Sequence, residues 1–244
     1  MSALRSYLLL IRWQALRYKM LLPLMLVVQG LLAFGIVAGY PLLFPELDRN
    51  TTLFLATGAP AITLLTMGLV LVPQMVAGAK TEGSYEYVRT LPVPRLAFLF
   101  ADLTVWAAII LPGVAFAVGV AVLRFGLDLA ISPFVVPAIV LVILTASCVG
   151  YAIASLAPPM LTTIVTQALV VFVLMFSPLN FPPERLPDWL RAIHAVLPIQ
   201  AMGEVIRGSL ASTSFAIAGG SVALLAAWCV GGLAIAFVAL NRRG

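Results

Sequence analysis

Few residues in this chain have the type and spacing to do chemistry. The tetrapeptide Gly78-Ala79-Lys80-Thr81 has the look of a phosphate-binding loop. That loop needs a glycine directly before the lysine and another five residues earlier. Here Ala79 precedes Lys80, and the other lysine is Lys19, so the chain has no phosphate cradle of that kind. The single histidine, His194, has no orienting partner in its vicinity and reads as an interfacial polar residue rather than a general base. Glu184, Asp188 and Glu204 share a segment with Arg185, Arg191 and Arg207, which suits local ion pairing. Asp102 is the one acid inside an apolar run. It lies about two turns from the start of that run, within reach of water or of Arg95. Cys148 and Cys229 stand singly in apolar runs without a CxxC partner; they read as small core residues, not as a disulfide or a zinc site. No catalytic or metal-binding constellation emerges, and the chain reads as a non-enzyme.

The elements around these residues are those of a membrane protein. The 244 residues are 63% hydrophobic and 9% charged, with a mean hydropathy of +1.13. Soluble domains are about 45–50% apolar and about 25% charged. The composition excludes an ordinary soluble enzyme and a disordered tail. A net charge of +5 invites a nucleic-acid reading, but the basic residues flank apolar runs, where they act as an orientation signal. Nucleic acid is therefore not an expected partner, whereas membrane lipid is.

Six runs, 21–44, 53–77, 96–123, 133–157, 161–176 and 215–240, are apolar all round, as lipid-embedded helices are. They do not alternate as barrel strands do. The expected fold is therefore an all-α multi-pass protein forming one transmembrane domain. With the N-terminus inside the cell, Arg5, Arg12, Arg17, Lys19, Lys80, Arg89, Arg95, Arg242 and Arg243 fall inside. Arg49, Arg124, Arg185, Arg191 and Arg207 fall outside, a split of nine to five. That places both termini in the cytoplasm and the chain in the cell membrane.

Three segments lie outside the spans. In 2–19, Leu4, Leu8, Ile11 and Ala15 form one apolar stripe with Arg5, Arg12 and Lys19 beside it; Trp13 and Arg17 share the segment. An amphipathic helix lying on the membrane surface is expected. The loop 78–95 is the most polar of the cytoplasmic stretches. Tyr85, Val88 and Leu91 are spaced to give a short helix one apolar face, and Pro92 and Pro94 stop it. The segment 177–214 carries five prolines and two helical patterns, around Leu186–Leu197 and Ile199–Leu210. A hairpin dipping into the outer leaflet is expected, where protein supports the backbone.

Glu82-Gly83-Ser84-Tyr85-Glu86-Tyr87, followed by Leu91-Pro92-Val93-Pro94-Arg95, resembles the cytoplasmic signature of ABC-2 type transporter permeases. The six-span layout, the N-terminal helix and the Leu197-Pro198 to Arg207 segment extend the resemblance along the chain. It implies the membrane subunit of an ATP-driven exporter. A separate ABC ATPase would carry ATP and Mg, none being held by this chain, and a second copy or a homologous permease would complete the dimer. Glu82, Gly83, Ser84, Tyr85, Glu86, Val88, Arg89 and Leu91 would form the coupling helix, with the N-terminal helix beside it. Trp189, His194, Glu204 and Arg207 would belong to the extracellular gate.

Gln29, Thr52, Thr63, Thr66, Thr162, Thr163, Thr166 and Gln167 are the small or neutral polar groups available to line a path. Such a lining suits an amphipathic cargo, a drug or antibiotic above all. Lipid or glycan export, or a stand-alone channel or secondary carrier, are the alternatives. Ion-driven carriers keep ionisable groups inside their spans, and the scarcity of such groups here favours an external motor.

Overall fold

The computed structural model describes residues 3–43, 49–90, 93–126, 129–179, 183 and 186–241. Every regular element among them is helical. In chain order these are α1 (Ala3–Tyr18), α2 (Leu22–Leu43), α3 (Arg49–Thr66), α4 (Val72–Thr81), α5 (Ser84–Thr90), α6 (Arg95–Phe125), α7 (Val135–Leu156), α8 (Pro159–Phe176), α9 (Asp188–Val196), α10 (Pro198–Leu210) and α11 (Gly219–Asn241). A single π turn, Met67–Leu71, joins α3 to α4.

Six helices are long and apolar enough to cross a membrane: α2, the α3–α4 rod, α6, α7, α8 and α11. In hydrocarbon every backbone polar group must be paired within the protein, and a helix does this within one segment. No charged residue interrupts α2, α7, α8 or α11. The 31 residues of α6 span about 46 Å at 1.5 Å per residue, more than a hydrocarbon core of about 30 Å. The excess carries Arg95 and Arg124 clear at opposite ends.

Two boundaries differ by about a turn from those read in the sequence. The second span runs on to Thr81, taking the first part of the 78–95 loop into helix, and the last span begins at Gly219 rather than near 215. The π turn has a visible cause. Pro73 lacks an N–H, and its ring crowds the carbonyl four residues back in a regular helix. Just before it the Val72 N–H reaches back to the Met67 carbonyl, which widens the turn where the ring must pass.

The α3–α4 rod is the buried axis of the molecule, whereas α2, α8 and α11 have most of their surface outside the bundle. α6 packs against α3, α2 and α1; α11 lies along α7; α10 is wedged against α3, α7 and α11. α7 and α11 approach closely because Gly232 faces the Cys148 carbonyl, where a Cβ would sit 2.8 Å away. Thr145 Oγ1 donates across the same seam to the Leu225 carbonyl at 3.2 Å.

Candidate functional site

The N-terminal helix docks by a face that its apolar stripe does not reveal. Ser6, Leu10, Gln14 and Tyr18, one turn apart, are buried, and α1 packs along α6. Leu4, Leu8 and Ala15 of the expected membrane stripe are exposed, as are Arg5, Arg12 and Lys19. The helix therefore has two working faces, one against protein and one outward. The Tyr18 ring packs against Trp106 of α6 at 5.0 Å between centroids, tilted by 52°. Burial pushes the Tyr18 phenol far above its ordinary range, Asp102 adding to the rise against the pull of Arg17. It therefore stays a neutral hydroxyl at physiological pH.

Asp102 is neither wet nor paired to Arg95, as its place in the sequence suggested. It is 3% exposed, beside Arg17 and Trp106. It shares a cavity of about 20 Å³ with Gln14, Tyr18, Ser84, Tyr85 and Tyr151. The reason is α1, which lies over the start of α6 and closes it from water. Arg95 instead donates to the Leu240 carbonyl at the end of α11. Lys80 does the same for α7: its Nζ reaches the Ala154 carbonyl at 2.5 Å and that of Ala157 at 3.3 Å. Both cations meet the electron-rich C-terminal ends of spans.

The turn that links α4 to α5 is Glu82-Gly83, and Gly83 adopts φ +74°, a left-handed geometry open to glycine at no steric cost. From it α5 is tied inward. Tyr85 and Val88 are buried among α1, α4 and α6 residues. Arg17 Nη2 donates to Ser84 Oγ at 2.9 Å and lies 3.7 Å from the Glu82 carboxylate. The guanidinium also sits 5.9 Å from the Trp13 ring. The apolar pair seen in the sequence thus anchors the helix to its own chain. What faces outward is Glu82, Glu86, Tyr87 and Thr90. Leu91 and the side chain of Arg89 lie outside the described residues.

At the opposite end α9 and α10 form the hairpin. The hydrogen-bonded link from Ser132 N–H to the Ser209 carbonyl, 2.8 Å, ties it to the segment before α7. Trp189 is exposed, while His194 turns inward and is fully buried. Its Nε2 lies 3.0 Å from the Phe176 carbonyl, and its ring stacks on Phe172 at 5.5 Å. Burial lowers the His194 pKa, against the pull of the Phe176 carbonyl. Asp188 pairs with Arg191, as the charge pattern suggests.

Glu204 and Arg207 do not pair. Glu204 accepts from Gln200 Nε2 at 2.8 Å and from Ser221 Oγ at 2.5 Å. Arg207 lies 3.5 Å above the Phe54 ring centroid and donates to the Leu179 carbonyl at 3.2 Å. Burial lowers Arg207 to about 10, against the pull of Glu204, so it remains a cation at neutral pH. Glu184 and Arg185 lie outside the described residues.

Residues 5–211 match the family model of the ABC-2 type transporter, which is most of the 244-residue chain. The chain belongs to the ABC-2 type transporter family. No match emerges among curated proteins. As an ABC-2 protein with six apolar helices it is a multi-pass integral membrane protein and the permease component of an ABC transporter. ABC-2 permeases work with an ATP-binding subunit and have no ATPase site of their own.

The polar groups read as path candidates occupy three settings in this ABC-2 chain. Gln29 and Thr63 are wholly enclosed. Gln29 donates to the Ile109 carbonyl at 3.2 Å and fills the space a side chain at Gly113 would need. Thr63 bonds back to the Ala59 carbonyl at 3.0 Å. Thr162 and Thr166 are buried, and Gln74 Nε2 of α4 donates to Thr166 Oγ1 at 3.1 Å. Thr163 and Gln167 are exposed on the outer face of α8, and Thr52 and Thr66 are half-buried. No single surface of this one chain gathers all eight.

Proposed function

We propose that the chain is the path-forming subunit of an ABC exporter that moves an amphipathic small molecule, drug or antibiotic in class, out of the cell. A separate ATPase binds ATP and Mg and drives the cycle. Both termini lie in the cytoplasm. The path forms where two permeases meet, across the lightly buried faces of α2 and α8, the latter carrying Thr163 and Gln167. The hairpin residues Trp189, His194, Glu204 and Arg207 gate its outer end.

The observation that supports this reading best is the mounting of α5. Tyr85, Val88 and Arg17 hold it rigidly to α1 and α6, while Glu82, Glu86 and Tyr87 face away from the bundle. A short helix fixed on its inner face and exposed on its outer one transmits a push from a partner to the spans. The partner can shift the equilibrium only through contacts that differ between states, and ATP on the motor subunit supplies that difference.

Affinity capture on the full-length chain, expressed beside its genomic neighbours, provides the test. A P-loop ATPase is expected in the captured fraction. The double variant Glu86→Lys with Tyr87→Ala should lower its recovery about tenfold, the effect of roughly 1.4 kcal/mol. Capture with no ATPase, or unchanged recovery with the variant, overturns the coupling proposal.

A further inference from the structure

α10 is the most deeply set helix of the hairpin, and between Pro198 and Leu210 only Gln200 and Glu204 are not buried. They stand one turn apart and open onto a cavity of about 420 Å³, lined also by His194, Ser221 and Leu224. Its side chains bring one carboxylate and two acceptor atoms without a partner. Glu204 is a carboxylate held by two neutral donors, Gln200 Nε2 and Ser221 Oγ. Gln200 Oε1 and His194 Nδ1 have no protein partner. His194 points its Nε2 at a carbonyl, which can only accept, so Nε2 carries the proton and Nδ1 presents a bare lone pair. Burial keeps the ring neutral by lowering its pKa. The nearby cations are turned elsewhere: Arg207 to Phe54 and Leu179, Arg191 to Asp188. With only His194 and Glu204 as ligand types, the cavity falls short of a metal site, and no metal-binding group of three such residues occurs among the described residues.

Leu224 also belongs to a second, wholly different space. A groove of about 410 Å³ runs between α7 and α11, lined by Ile153, Leu156, Trp228, Gly231 and Ile235 among others. Leu224 to Ile235 covers about 16 Å along α11. Gly231 has nothing within 4 Å of where its Cβ would be, which keeps the groove open. Trp228 is pinned at the junction by its Nε1 donating to the Val196 carbonyl at 2.9 Å. An acceptor-rich pocket bearing one carboxylate and an apolar groove thus adjoin at Leu224, which lines both.

We infer that this pair of spaces binds an amphiphile with an N–H-bearing ammonium head, the head on Glu204, His194 and Gln200 and the apolar tail along α7 and α11. The inference rests on the exporter reading and narrows its cargo class, with the cargo held at a site that α2 and α8 do not line, apart from the path itself. Charge and donor count fit an ammonium: each N–H finds an acceptor, and the carboxylate meets an opposite charge. A neutral alcohol offers one donor and no charge, and an anion is repelled.

The test is saturable binding of radiolabelled octylammonium to the full chain in phosphatidylcholine nanodiscs, with empty nanodiscs as baseline. Phosphatidylcholine has no N–H on its head and leaves the site open. Saturable binding displaced by unlabelled octylammonium but not by octanol is expected. Glu204→Gln should weaken it at least about tenfold, the size of a lost charge-assisted hydrogen bond, while Asp188→Asn should leave it unchanged.

Displacement when phosphatidylethanolamine replaces part of the lipid identifies the ammonium as a lipid head; its failure to displace assigns the site to a diffusing amine. Binding no greater than to empty discs, equal displacement by octanol, or full affinity in a folded Glu204→Gln overturns the proposal. Should that variant not fold, the octylammonium–octanol comparison on the unaltered chain decides. Failure here leaves capture of the ATPase untouched, so the two proposals fall separately.

Discussion

His194 shows how much one side chain's role depends on what the fold lays beside it. In sequence it is a lone histidine with no partner; in the structure it is stacked on Phe172 and bonded to the Phe176 carbonyl, both from α8. Because burial lowers its pKa, the folded state favours the neutral ring. That stabilisation is whole above the ordinary value of about 6.5. It is lost as pH falls below it, since the unfolded chain then takes up the proton first. The chain has one histidine, so the effect is separable. The melting temperature of the detergent-solubilised protein should fall from about pH 6.5 to about pH 5 more steeply than that of His194→Gln, which can still donate to Phe176. Parallel curves would show that the ring is not held neutral. Asp102 teaches the same lesson in reverse: its sequence position reads as wet, and only the docking of α1 buries it.

At the scale of elements, the long helices were plain in the sequence and the mounting of the short ones was not. All-round apolarity over about 20 residues allows little besides a span. α1 and α5 are different. Their apolar residues mark one face each, but α1 also buries Ser6 and Gln14, polar residues that a hydrophobic pattern leaves outside. The apolar face of α5 packs, through Tyr85 and Val88, on its own chain. The Ser6–Leu10–Gln14–Tyr18 spacing was the available signal, hidden because two of its four members are polar.

The link between the two helices is Arg17, whose side chain is 28% exposed and whose acidic partner Glu82 is 70% exposed. Such pairs add at most about 1 kcal/mol. Arg17→Ala also removes the Ser84 hydrogen bond and the cation beside buried Asp102, so it should lower stability by more than the roughly 1 kcal/mol of the exposed pair alone. In protein that still folds, it should reduce cargo moved per ATP hydrolysed several-fold in proteoliposomes containing the motor subunit. An unchanged transport-to-hydrolysis ratio would mean that α1 and α5 do not move as one body.

For the molecule as a whole, the distribution of charge separates the two ends. Lys80 and Arg95 hold the C-terminal ends of α7 and α11 at the end where Arg17 meets α5. The other end holds the hairpin, where Arg207 sits among aromatic rings and Arg191 pairs with Asp188. Basic groups near the α1 end are thus partly committed to helix termini, which are structural duties, yet they also weight that end as an orientation signal. The two roles agree only if the α1 end is cytoplasmic.

Impermeant maleimide labelling tests that agreement with little background, because Cys148 is buried and Cys229 partly so. Glu86→Cys, on the outward face of α5, should label only after the membrane is opened. Thr213→Cys, exposed just before α11, should label in intact cells. The opposite pattern would place α5 outside, out of reach of any cytoplasmic ATPase. It would then remove the coupling role from α5 and the gate from the hairpin in a single result.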